Sequence, residues 1–354
     1  MKNLLILKTA ALGDVLRTTS ILPGLHERYP GANVTWVTAH GAVPLVRTHP
    51  LVRTVVELEP DSEESVRTTI ARLSPTLWAR VISLDDELGV ARVASGVTSR
   101  RLSGAYLRPD GSLAYTPDTA PWFDMGLLSV HGKASADARK IQNRQSHPEI
   151  HADMLGVRMG KPALHLTPES REFAGGFAGR HRLDARRPVV GLNTGAGDRW
   201  TSKQLDVERT VEVARRVHEA RDGRALFLVL GGPAETERNE QIIAGLVRAE
   251  LPHCDGGTGN SLLEFAALVG LCDTLLSSDS LALHLAVALG TRVVAFFAPT
   301  SAAEIELYGR GEKVVSTAPD ACSYRRDADT SSLTPQRICA SLLEQIAAAE
   351  GERA

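Results

Sequence analysis

Three short stretches of this sequence set charged side chains among small residues, each where an apolar run ends. The first is Lys8-Thr9-Ala10-Ala11-Leu12-Gly13-Asp14, directly after Leu4-Leu5-Ile6-Leu7. The second runs Asn193-Thr194-Gly195-Ala196-Gly197-Asp198-Arg199-Trp200-Thr201-Ser202-Lys203. The third is Ser277-Ser278-Asp279-Ser280-Leu281-Ala282-Leu283-His284. A glycine-rich loop between a strand and a helix exposes backbone N–H groups, and the helix start adds positive potential. With Thr194, Gly195 and Ala196 beside the cations Arg199 and Lys203, the second stretch suits a diphosphate. It is also readable as an ordinary strand-to-helix loop with solvated charges. It is not a Walker loop, and G-x-G-x-x-G does not follow the first strand.

Each acid has a structural reading beside the chemical one. Asp14 either caps the next helix or does chemistry at a strand-to-helix corner. Asp279 reads as an N-cap or, with His284 five residues on, as part of a ligand site; a lone His flanked by leucines is otherwise a core residue. Glu235, after Gly231-Gly232-Pro233-Ala234, either caps its helix or accepts hydrogen bonds from a ribose diol. Asp85-Asp86-Glu87 has no complementary ligand spacing and reads as strand-end caps and solvated acids. No Ser-His-Asp or Cys-His arrangement is legible.

The elements that must position these residues alternate strand and helix. Residues 4–7, 33–38, 51–58 and 80–84 read as strands, with a helical pattern from Asp14 to about Tyr29 that Pro23 should kink or shorten. A polar helix is expected at about 63–73. The middle, about 95–185, is less regular, with a turn at Pro109-Asp110-Gly111 and a polar helical stretch from Ser135 to about Leu155. Arg186-Arg187-Pro188 marks a boundary. The alternation then restarts: strands at 188–192, 225–230, 274–277 and 292–297, and helices at 205–220, 235–248, 261–271 and 280–289. Ser261 and Glu264 form a capping box. Such βαβ grammar implies parallel sheets, whose ligands sit at the strand carboxyl ends, so a cleft between two such domains is the natural site.

The chain has 354 residues, enough for two domains with separate cores. A formal net charge of −2 gives no nucleic-acid footprint. Seven lysines against 33 arginines read as base-composition bias. Cys254, Cys272, Cys322 and Cys339 form no C-x-x-C pair and no zinc-spaced set, so they read as reduced thiols. The first apolar run is too short for a signal or membrane segment, and the expectation is a soluble cytoplasmic protein with at most peripheral membrane contact.

Taken together, the three stretches resemble the heptosyltransferases, glycosyltransferase family 9. Lys8 to Leu16 matches a K-x-x-x-x-G-D-x-[LV] opening. Gly195-Ala196, Trp200 and Lys203 match G-A-x-x-x-x-W-x-x-K-x-W, with Leu205 in place of the last aromatic. Asp279 to His284 matches D-T-G-x-x-H, with Ser280 for Thr and Leu281 for Gly. Ala298-Pro299-Thr300 stands at the G-P-T. Ser83-Leu84-Asp85-Asp86-Glu87 and Trp122-Phe123-Asp124-Met125-Gly126 also look familial.

The resemblance implies an α/β chain of the GT-B fold, two Rossmann-like domains facing across a cleft. Residues 1–185 would bind the acceptor and 186–354 the nucleotide sugar, with a C-terminal helix able to pack back on the first domain. It implies inverting transfer of heptose from an ADP-heptose-type donor to a glycan, lipopolysaccharide-core or small-molecule acceptor, without a metal or other cofactor. Asp14 would be the general base and Lys203 would neutralise the departing diphosphate. Thr194, Gly195, Ala196, Arg199, Glu235, Asp279, Ser280, Leu281 and His284 would hold the donor. Lys8 and Gly13 would face the acceptor, Lys8 orienting an anion. Two alternatives share the fold: a sugar-nucleotide epimerase, and a non-catalytic binder that Leu281 in place of glycine keeps open.

Overall fold

A computed structural model describes residues 2–183, 187–197 and 201–353. The chain divides into two compact units, Met1–His165 and Leu166–Ala354. The 185/186 boundary read from the sequence falls among residues outside the described set. The division comes earlier because the helix Pro168–His181 packs against the helix Leu262–Val269 of the second unit.

The first unit holds strands β1 (Asn3–Leu7), β2 (Asn33–Thr38), β3 (Thr54–Glu57), β4 (Arg80–Ser83), β5 (Leu102–Leu107) and β6 (Leu113–Tyr115), ordered β3-β2-β1-β4-β5-β6. All pairs are parallel except β5–β6. Leu4 to Leu7 are wholly buried, as a strand covered on both faces requires. The order reverses between β1 and β4, where Leu7 lies opposite Ser83. That register sets Lys8 beside the residues that follow β4.

The helical pattern expected from Asp14 to Tyr29 is two helices, Leu12–Thr18 and Ile21–Arg28. Pro23 acts one turn upstream: its ring conflicts with the carbonyl four residues back, that of Thr19, where the break falls. The polar stretch after Ser135 is likewise two helices, Lys133–Gln142 and His147–Leu155, the second opened by a Ser146–Glu149 capping box.

The second unit repeats the plan with β7 (Val189–Asn193), β8 (Leu226–Val229), β9 (His253–Asp255), β10 (Thr274–Ser278), β11 (Arg292–Phe297) and β12 (Gly311–Val315), all parallel, ordered β12-β11-β10-β7-β8-β9. Here the reversal lies between β7 and β10, with Asn193 opposite Ser277. Open α/β sheets bind ligands at such switch points, beyond the carboxyl ends of the strands. The Ser261–Glu264 capping box forms as read. The C-terminal helix Pro335–Arg353, which the sequence allowed to return to the first domain, packs on the helix Val207–Ala220 and on β11. Ion pairs Arg292–Glu352 at 2.6 Å and Arg353–Asp273 at 2.8 Å fasten its end.

Candidate active site

At the switch point of the first unit buried side chains pair with one another. Lys8, 5% exposed, ion-pairs with Asp85 and donates to the Ala10 carbonyl. Thr9 donates its N–H to Asp85, and its hydroxyl lies 2.8 Å from both Asp85 Oδ2 and Glu87 Oε2. Burial, and then the Asp85 charge, push the Glu87 carboxyl above the usual carboxylate range. The Lys8 ammonium is buried and paired, so it braces the corner. This corrects one expectation. Asp85 is the interior partner of that lysine, not a solvated acid.

Asp14 sits one turn further along. The helix Leu12–Thr18 has Ala11 at its N-cap and no side-chain cap bond, so Asp14 is not the cap. Its carboxylate, about a third exposed, meets Arg17 Nη2 at 2.9 Å, while Gly13 before it is buried. The helix His147–Leu155 packs against this helix. It carries His147 and His151, whose rings lie 3.7 Å apart, each edge-on to Trp122. Burial, and then the charges of Arg17 and Lys8, pull fully buried His151 down to about 3. The two histidines behind Asp14 escaped the sequence reading, which had noted Trp122 only as familial; a signal existed in Ser146-x-x-Glu149 with histidines four apart on one helix face.

In the second unit the switch point opens into a cavity of about 490 Å³. Gly195, Ala196 and Gly197 form one wall, Gly231, Gly232 and Glu235 another, and Asp279 to Ala282 a third. Leu262 and Phe265 of the capped helix Leu262–Val269, with Asn260 just before its cap, complete it, a contribution the sequence did not disclose.

Glu235 links two of the walls. Its Oε1 accepts the Gly197 N–H at 2.6 Å and its Oε2 the Gly232 N–H at 2.8 Å. A Cβ on Gly195 would come 2.4 Å from Glu235 Cγ, and one on Gly231 2.9 Å from Glu235 Cβ, so both glycines are needed for this approach.

Lys203 reaches the third wall. Its Nζ lies 2.9 Å from Asp279 Oδ2 and 3.0 Å from the Asp279 carbonyl. His284 Nε2 stands 3.8 Å from the other carboxylate oxygen; His284 is buried and is not among the residues that line the cavity. The capping reading of Asp279 does not hold, because Ser280 is the N-cap of the helix Leu281–Leu289 and makes no side-chain cap bond. Instead Ser280 Oγ meets Asn193 Nδ2 at 3.3 Å and Ser277 Oγ at 3.1 Å. An uncapped helix start at a cavity suits an anion. Leu281, at the position of the family's glycine, is part of the wall.

Thr194 does not face the cavity. It is buried, its Oγ1 accepting from Thr210 Oγ1 at 3.1 Å and Arg238 Nη2 at 2.9 Å. It turns toward the helix Val207–Ala220 while its neighbours Asn193 and Gly195 turn to the cavity. Arg238, absent from the sequence reading, also donates to Leu205 O and so pins both ends of the glycine loop. Burial lowers its pKa, with Asp206 and Glu235 opposing. Arg199, read as a second diphosphate contact, lies outside the described residues, as does Trp200. Among the described residues no group of three or more His, Cys, Asp or Glu could hold a metal ion, and no helix is long and apolar enough to cross a membrane.

The family model of glycosyltransferase family 9 (heptosyltransferase) matches residues 142–333, which contain this cavity. Lipopolysaccharide heptosyltransferase 1 of Pseudomonas aeruginosa is 24% identical over 324 residues, 88% of this chain and 82% of its own. A glycosyl transferase family 9 structure from Veillonella parvula superposes with a TM-score of 0.74 at 16% identity, covering 98% of this chain and 97% of that one. The E. coli ADP-heptose lps heptosyltransferase II does so at 0.66 and 17%, covering 99% and 100%. These likenesses establish the fold, two Rossmann-like sheets of the GT-B type, and the family match establishes the rest: the chain belongs to glycosyltransferase family 9, the heptosyltransferases, and is a glycosyltransferase.

Proposed function

We propose that this glycosyltransferase moves heptose from an ADP-heptose-type donor to a hydroxyl of a glycan or small-molecule acceptor, inverting the anomeric carbon without a metal ion. The observation that carries the reading is the Lys203–Asp279 pair at a cavity walled by two glycine loops and an uncapped helix start. In this reading the donor diphosphate lies against Lys203 and the first turn of Leu281–Leu289, with Arg199 as a second cation. The ribose lies toward Glu235 and the base toward Leu262 and Phe265.

Inverting transfer is one in-line displacement. The acceptor oxygen bonds to the anomeric carbon as the bond to the β-phosphate oxygen breaks; Asp14 takes the acceptor proton and ADP departs. Charge builds on the leaving diphosphate, and fixed cations and helix N–H groups stabilise it without reorganisation. Asp14, beside the narrow corner of Gly13, is the base candidate in the first unit. The names of the P. aeruginosa and E. coli relatives support a heptose donor and a lipopolysaccharide acceptor. We place the reaction in the cytoplasm, with at most peripheral membrane contact.

Calorimetry with ADP-heptose and with GDP-, UDP- and dTDP-sugars, repeated in EDTA, tests the donor and the metal. ADP-heptose should bind best and EDTA should change nothing. A preference for a non-adenine donor overturns the donor assignment, and binding or transfer lost in EDTA overturns metal independence. Donor incubated alone and followed by NMR should remain unchanged; conversion to an epimer would identify an epimerase.

A further inference from the structure

The helix Lys133–Gln142 of the first unit has little to hold it by packing. Of its ten residues only Ala136 is buried, and its contacts with other elements are sparse. A helix of this length is marginal in water by itself. The loop before it presents Leu127 at 88% and Val130 at 70% exposure, and Ile141 near the helix end is 48% exposed. These are three of the seven exposed large hydrophobic residues among the described residues. The loop is held in place, since the Val130 N–H donates to Tyr115 Oη at 3.2 Å and that hydroxyl donates to Asp124. Within residues 126–145 the sequence also carries Lys133, Arg139, Lys140 and Arg144 against the single carboxylate Asp137, which pairs with Lys133 at 2.5 Å; Arg144 donates to the Ile141 and Asn143 carbonyls, and Asp124 just before the segment pairs with His131 at 3.3 Å.

Exposed aliphatic tips in a segment of net positive charge are the composition of an interfacial anchor, in which side chains enter the headgroup boundary and cations meet anionic lipid. The segment holds no tyrosine, tryptophan, phenylalanine or methionine, the residues that, with arginine, are enriched at protein–protein interfaces. We propose that residues 126–144 dock the protein on an anionic lipid surface, with Leu127 and Val130 entering it. Trp122, just before the loop, packs on the helix that supports the Asp14 helix, so docking would bring the base side of the first unit to the membrane. The inference is independent of which donor is used.

The test is cosedimentation of the full chain with vesicles of phosphatidylcholine, with and without phosphatidylglycerol. The protein should pellet with the anionic vesicles, leave them as salt is raised, and stay soluble with phosphatidylcholine alone. Leu127→Glu with Val130→Glu should weaken partitioning by at least about tenfold. Arg139→Gln should weaken it about fivefold and Arg139→Lys should not. Because these side chains are exposed, melting temperatures should be unchanged, which separates lost docking from lost folding. Equal pelleting with both vesicle types overturns the proposal, as does undiminished pelleting of the double variant. A shift of mass in solution on Leu127→Glu, with no change in pelleting, would assign the patch to a second copy of the chain and overturn it too.

Discussion

Lys203 holds Asp279 twice, by its carboxylate at 2.9 Å and by its main-chain carbonyl at 3.0 Å, joining positions 76 apart in sequence. Both side chains are partly exposed at the cavity. A cation fixed in this way is preorganised for charge that develops on a leaving group. Lys203→Ala should therefore lower kcat by roughly 10²–10³-fold. Donor affinity should fall far less, because the charge is greatest in the transition state. Steady-state kinetics beside calorimetry separate the two; a loss confined to affinity would make Lys203 a ground-state contact only.

Asp14→Asn removes the proposed base and keeps the shape of the corner. Transfer should drop by roughly 10²–10⁴-fold, the range of a lost general base. Donor binding, proposed above for the second unit, should be unchanged by calorimetry. Undiminished turnover would leave Asp14 as an ion-pair partner of Arg17 and nothing more.

Gly195→Ala would place a methyl 2.4 Å from Glu235 Cγ. Glu235 would have to give up the Gly197 and Gly232 N–H groups it now accepts, and the two glycine loops would separate. Overpacking of this kind costs about 1–3 kcal/mol. Donor affinity and thermal stability should both fall, measured by calorimetry and by thermal unfolding. Gly259, where an added methyl would meet open space, should accept alanine without either loss.

What the sequence disclosed follows how local each signal is. Leu4 to Leu7 and Val189 to Leu192 read as strands because buried parallel strands are continuous apolar runs. His253–Asp255 and Gly311–Val315 escaped because they are short and partly polar. Gly195, Glu235, Lys203 and Asp279 stood out because small residues and charges cluster at strand ends. The inward turn of Thr194, the brace between Lys8 and Asp85, and the grip of Arg238 on the loop depend on partners far along the chain. Periodicity and spacing carry no information about such partners.

Acid should loosen the first unit through its buried histidines. Burial, and then the charge of His165, pull His49 down to about 4, and burial with Arg17 and Lys8 pulls His151 down to about 3. In the unfolded chain both titrate near about 6.5. Between those values the unfolded chain binds more protons than the folded one, so stability rises with pH. The contribution is fully present above about pH 6.5 and is lost as the pH falls toward the folded values. For His151, which is 0% exposed, the loss by about pH 5 is about 2 kcal/mol. His151→Phe removes that titration. Urea unfolding across the range from about pH 8 to about pH 5 should show a flatter acid limb for the variant than for the parent, whatever the variant's stability at neutral pH. An unchanged slope would mean that His151 is solvated or paired in the folded protein, and the acid sensitivity would have to arise elsewhere.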